Sequence, residues 1–135
     1  MATHDAGDQL QVELVAADRT VWSGRATMVI ARTTEGDVGV LPNHAPMLSL
    51  MVDGVVEVTT DSNESWVAAV DAGFLSVAAN RVSILSEHAE MSHEIDLDKA
   101  RHELDRAQAA GEQDEEAQDA LRRAQARIRA AEKAK

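Results

Sequence analysis

Apolar residues in this chain recur at every second position from Gln9 to Glu87, and at every third or fourth position after Ile95. A period of two places alternate side chains on one face of a strand, whereas a period near 3.5 draws a stripe along a helix. The chain must therefore fold as two kinds of structure joined near residue 95. In the first part, Leu10, Val12 and Leu14 alternate with Gln9, Gln11 and Glu13. Val56 and Val58 flank Glu57, and Val82 and Ile84 flank Ser83. The runs 26–31, 66–70 and 73–78 are apolar on both faces, which predicts burial between two sheets. Turn signals punctuate this part at Asp18-Arg19, Gly24, Gly36, Asp53-Gly54, Asp61-Ser62-Asn63, Asp71-Ala72-Gly73 and Asn80. About ten short strands at that spacing predict an antiparallel β-sandwich, or flattened barrel, over residues 9–90.

The second part, residues 91–135, carries two stripes. Leu97, Ala100, Leu104 and Ala107 mark one helix over about residues 96–110, and Ala117, Leu121, Ala124, Ile128 and Ala131 mark another over about 114–133. Asp96 and Asp114 are placed to cap their N-termini, and Gly111 to stop the first. The connection is so short that the helices must run antiparallel, as an αα-hairpin. The class is thus α+β. Alanine makes up half of the seam, and at ~25 cal/mol per Å² it stabilises far less than leucine would. A loosely held hairpin is expected. Residues 1–8 are polar, read as a flexible N-terminal tail without the apolar segment of a signal peptide.

Charge is divided in the same way as period. The net charge is −11, yet residues 121–135 carry six bases against Glu132 alone, while residues 1–95 carry 14 acids against 4 bases. An acidic body argues against nucleic acid as its partner, and the basic tip fits an acidic protein surface or an anionic ligand. Lysine and arginine in a last helical turn also complement the helix dipole. With no cysteine, disulfides, thiolate metal sites and cysteine nucleophiles are excluded. No apolar run approaches the ~20 residues that span a bilayer. His88 and His93, five apart, share neither a helix face nor a strand face and lack metal-site spacing. Asp96 and Asp98 suit a helix start better than an acid/base pair. A stand-alone enzyme is not expected.

Glu35–Met47 reads E-G-D-V-G-V-L-P-N-H-A-P-M. Proline cannot donate to a sheet ladder, so a strand here must end at or before Leu41. Leu41 and Ala45, each preceding a proline, are pushed to extended backbone. The segment predicts a short strand entering a stiff surface loop that displays Asp37, Asn43 and His44. The alternative is a sheet-edge turn in which His44 only hydrogen-bonds its own loop.

The proline-histidine loop, the W-S-G at Trp22–Gly24, the G-F-L-S-V at Gly73–Val77 and the Ala/Arg-rich helical pair together resemble the epsilon subunit of bacterial F-type ATP synthase. The resemblance runs from about residue 9 to the end. It implies a non-catalytic rotor subunit at the cytoplasmic face of the cell membrane, attached to the membrane only through the complex. It implies a sandwich against the gamma subunit and the c-ring, with Asp37, Asn43 and His44 facing the c-ring. It further implies a mobile hairpin that restrains ATP hydrolysis when Arg122, Arg123, Arg127 and Arg129 meet an acidic region of the catalytic beta subunits. No cofactor is required, but the family's nucleotide motif implies regulatory ATP held by Glu90, Ile95, Asp96, Lys99, Ala100, Arg106, Arg123 and Arg127. Lys99 departs from the family's arginine, keeping the charge without the bidentate fork. Alternatively, these arginines pair with Glu103, Asp105 or Asp119 across the seam. Two other classes fit the same organisation: a ligand-binding β module with a coiled-coil dimerisation tail, and an RNA- or chaperone-type adaptor using its basic helix.

Overall fold

A computed structural model describes residues 9–111 and 113–134; the expected N-terminal tail over residues 1–8 lies outside the described residues. The strands are β1 (Leu10–Val15), β2 (Thr20–Thr33), β3 (Gly36–Val40), β4 (Met47–Met51), β5 (Gly54–Thr60), β6 (Ser65–Val70), β7 (Gly73–Ala78), β8 (Arg81–Ser86) and β9 (Ala89–Met91). A 3₁₀ turn at Ser92–Glu94 leads to α1 (Leu97–Ala109) and α2 (Glu115–Lys133).

The sheet runs β1-β8-β7-β4-β2-β5-β6-β9, with β3 added to β2, and β1 also pairing with β2 so that the two layers join. All pairings are antiparallel except β1 with β8. β2 makes this possible: its first half pairs with β1 and its second half with β3 and β5. Leu10, Leu14, Leu75, Ile84 and seven valines are fully buried between the layers, which fits a core expected from alternation rather than from aromatics. Trp22 and Trp66 pack only at its margin.

Three local expectations are corrected. Gly24 is not at a turn; it lies inside β2 opposite Val12. The Trp22 indole folds over it, close enough that a Cβ would sit 3.0 Å from the ring, so the glycine here makes room rather than bending the chain. The run 73–78 is not covered on both sides: Phe74 is 49% exposed and faces outward beside Leu50 and Leu85. The run 66–70 is covered on both faces, but not by two sheets. Ala68 and Val70 enter the sandwich core, while Val67 and Ala69 lie under α2.

Both helices begin at the expected aspartates. Asp96 accepts from Lys99 N–H at 3.1 Å, and Asp114 from Glu116 and Ala117 N–H at 3.1 and 3.2 Å. Gly111 has φ +90°, the left-handed conformation that ends helices. The α1–α2 seam buries Ala100, Ala107, Ala117 and Ala124. A second alanine stripe, Ala126 and Ala130, fastens α2 to Val67 and Ala69 of β6, with half-buried Val55 and Ile95 beside them. α2 therefore lies between α1 and the sheet.

Candidate functional site

The basic tip is folded down onto the acidic body. Arg127 Nε lies 2.6 Å from Glu90 Oε1, with side chains only 16% and 28% exposed. Arg122 reaches Asp53 at 3.9 Å and also pairs with Asp119 in its own helix. Lys133 Nζ lies 3.5 Å from Glu57. Of the partners expected across the seam, Glu103 and Asp105 make no ion pair among the described residues, and Asp119 pairs with Arg122 inside α2; Arg101 and Glu132 pair across the seam at 3.7 Å. α2 turns its charged flanks down toward the sheet because Ala126 and Ala130 let the helix axis approach closely. Arg123 and Arg127 act on the half-buried Asp71, whose carboxyl burial pushes up, against the pull of Arg127. Arg106 and Arg129 make no ion pair among the described residues.

Beside Arg127 a cleft of about 340 Å³ opens between β9, the 3₁₀ turn and α1. It gathers Glu90, Ile95, Asp96, Lys99, Ala100 and Arg127. Arg123, one turn earlier, lies instead in a neighbouring cleft with Asp53, Asp71 and Glu87. Arg106 lines neither cleft. Glu90, Glu94, Asp96 and Glu103 face Lys99 and Arg127 there, so the cleft is acidic on balance. Much of that charge is engaged: Asp96 caps α1, Glu90 holds Arg127, and Glu94 accepts from Met91 N–H at 3.0 Å and Arg19 at 3.2 Å. The Met91 N–H, with Arg19 behind it, holds the Glu94 carboxyl below its ordinary range. Lys99 makes no ion pair among the described residues.

The proline loop sits at another edge. β3 ends at Val40. Asp37 stands on β3 rather than in the loop, opposite Arg32, and pairs with it at 3.2 Å. Asn43 has φ +70°, and its N–H donates to Asn80 Oδ1 at 2.6 Å while Asn80 Nδ2 donates back at 3.3 Å. His44 Nδ1 lies 2.7 Å from the Ala45 carbonyl, so the ring serves its own loop. Asn80, expected only as a turn residue, is also the brace of the proline loop. The sequence signal is an asparagine in a two-residue link between strand-like runs; in the structure Ala79 and Asn80 both take positive φ there.

Around the corner, Leu48, Leu50, Phe74 and Leu85 lie exposed on β4, β7 and β8, Leu48 at 73%; Leu50 pairs with Phe74, and Phe74 with Leu85. Adjacent exposed leucines and a phenylalanine are unusual on a small monomer and mark a contact surface.

A sandwich with a bare apolar face, carrying a helical hairpin strapped to another face by ion pairs, defines a small interaction module built in two parts. Residues 9–92 match the family profile described as ATP synthase, Delta/Epsilon chain, beta-sandwich domain. The ATP synthase epsilon chain of Streptomyces avermitilis is 52% identical over 122 residues, 90% of this chain and 94% of that one. That of Nocardia farcinica is 44% identical over 133 residues, covering 98% and 96%. The chain belongs to the ATP synthase epsilon chain family. Its fold is shared with a chain in the Euglena gracilis mitochondrial ATP synthase, at TM-score 0.81 and 24% identity over 96% of this chain and 85% of that one. A chain from the Tetrahymena thermophila mitochondrial ATP synthase central stalk and c-ring matches at TM-score 0.59 and 16% identity, over 93% and 95%. Among the described residues no helix is long and apolar enough to cross a membrane.

Proposed function

We propose that the chain is a non-catalytic subunit of the central stalk of a proton-translocating ATP synthase, peripheral to the cytoplasmic face of the membrane, which restrains ATP hydrolysis through its hairpin. The observation that carries this reading is the shallow seat of α2: small side chains and a few partly exposed ion pairs on an otherwise complete sandwich. Such a seat is cheap to leave. The exposed face of Leu48, Leu50, Phe74 and Leu85 supports docking on a large partner, for which the gamma subunit is the candidate. The strand and loop bearing Asp37, Asn43 and His44, stiffened by the Asn43–Asn80 brace, suit contact with the polar loops of the c-ring, because little freedom is lost on docking. When raised, Arg122, Arg123, Arg127 and Arg129 would meet an acidic region of the catalytic beta subunits. Removing everything after Ala110 tests this in the assembled enzyme. Hydrolysis is expected to rise severalfold while proton-driven synthesis is retained; equal hydrolysis by truncated and full-length enzymes at low salt would overturn it.

Regulatory ATP is proposed for the cleft beside Arg127. Lys99 and Arg127 are the cations for its phosphates, with Ile95, Asp96 and Ala100 at the base; Arg106 and Arg123 must swing in to complete the set. A nucleotide must also displace Glu90 from Arg127, and Lys99 offers no bidentate fork. Binding is therefore expected to be weak, with Kd on the order of 1 mM, or about −4 kcal/mol. Titration calorimetry of the full chain should show saturable ATP binding that Arg127→Ala abolishes and Glu90→Gln does not. Absence of saturation, or binding indifferent to Arg127→Ala, removes the nucleotide from this account.

A further inference from the structure

The outer face of β5, β6 and β9 is a receptor shaped for α2. Cross-strand register places Val55 opposite Ala69 and Ala69 opposite Glu90, with Glu57 opposite Val67 in the next row. The middle of this face is small and apolar, and its borders are carboxylates. α2 presents the complement: Ala126 and Ala130 in the middle, Arg127 toward Glu90, Lys133 toward Glu57 and Arg122 toward Asp53. Asp53 is itself positioned, because its second oxygen accepts from Ala72 N–H at 2.8 Å.

We infer that Glu90, Asp53 and Glu57 form an electrostatic latch that sets how often the hairpin leaves the sandwich, by occupying the same cations that an acidic partner would need. This deepens the reading of the hairpin as a mobile inhibitory element and, in its second consequence, rests on it. The apolar part of the seat is built mostly from alanines and valines, with Ile95 at its margin, so it holds α2 weakly without selecting between seated and raised positions. The ion pairs add the selection. Because they are only partly buried, they must respond to salt. A carboxylate on a partner that reaches Arg122 or Arg127 competes directly with Asp53 or Glu90, so release and capture are two sides of one exchange.

Amide hydrogen exchange on the full chain reads the latch. At low salt, Glu90→Gln is expected to speed exchange throughout α2 by about two- to fivefold, the range of a partly exposed ion pair, with the β1–β8 amides unchanged. Wild type at high salt should approach the same rates. Arg127→Gln, which leaves the sandwich untouched, should match Glu90→Gln, and the double variant should be no faster than either single one. Unchanged α2 exchange in a triple Asp53→Asn, Glu57→Gln, Glu90→Gln chain overturns the latch. A second arm uses assembled ATP synthase carrying Asp53→Asn and Glu57→Gln, which lie outside the nucleotide cleft: hydrolysis should fall, since the hairpin is freer to rise. Faster α2 exchange with hydrolysis unaltered would sink the inhibitory reading and leave the latch standing.

Discussion

Gly73→Ala is expected to be the most damaging small substitution in the sandwich. Gly73 opens β7 between Met51 on β4 and Ser86 on β8. A Cβ there would run into the backbone carbonyl of Leu85 and come within 2.9 Å of Ser86 Cα. Backbone on a paired strand cannot give way as a flexible side chain can, so β7 or β8 must shift and loosen Leu75, Val77 and Ile84 in the core. Overpacking of this kind costs about 3 kcal/mol. In a domain of this size that lowers the melting temperature by roughly 10–20 °C. Gly39→Ala is the control, since nothing lies within 4 Å of its added methyl. Thermal unfolding by circular dichroism should separate the two clearly, and a Gly73→Ala chain melting with Gly39→Ala would refute the steric account. The Phe74–Leu85 face should fail with β7, so the variant should also lose its place in the assembled enzyme.

Enlarging the seat of α2 should produce the opposite pattern: an intact sandwich with a displaced helix. Ala126 and Ala130 are 1% and 0% exposed against Val67 and Ala69. Leucine at both positions adds side-chain volume where the helix axis already sits close to the sheet. The misfit costs about 1–3 kcal/mol at each site, comparable to all that the ion pairs and alanines supply. α2 is therefore expected to lose protection from amide exchange nearly completely, while the sandwich melts where the wild type does. A double Ala126→Leu, Ala130→Leu chain with α2 still protected would mean that the seat is adaptable and the helix firmly held. In the assembled enzyme the same variant should hydrolyse ATP more slowly, because the helix can no longer return to the sandwich.

How much of this was legible beforehand depends on the range of the forces involved. Strand alternation, the break at Ile95, the Asp96 and Asp114 caps, the Gly111 stop and the end of β3 before Pro42 are local consequences of side-chain period and backbone chemistry. They could be read residue by residue. The seam positions Ala117 and Ala124 were legible for the same reason, although Ala131, expected in the same stripe, is only half-buried. The second stripe, Ala126 and Ala130, was not, because a helix packed on both sides has no single apolar face for periodicity to reveal. That hidden contact also explains why 66–70 read as a strand between two sheets: apolar residues on both faces require cover, but do not say whether a strand or a helix supplies it. Gly24 and the 73–78 run misled for a related reason, since whether a glycine bends a chain or yields space to Trp22, and whether Phe74 is covered, depend on neighbours distant in sequence. Among the candidate residues, Glu90, Ile95, Asp96, Lys99 and Ala100 had to lie close together, because they share one short stretch. That Arg127 joins them through Glu90 while Arg123 faces Asp71, and that Asn43 is braced by Asn80, follow from contacts made across the fold, which no local pattern encodes. The turn of His44 to its own loop is one of two readings that the local sequence leaves open, and only the folded loop chooses it. Charges attract in every direction, and the choice of partner falls to whichever packing brings them within about 4 Å.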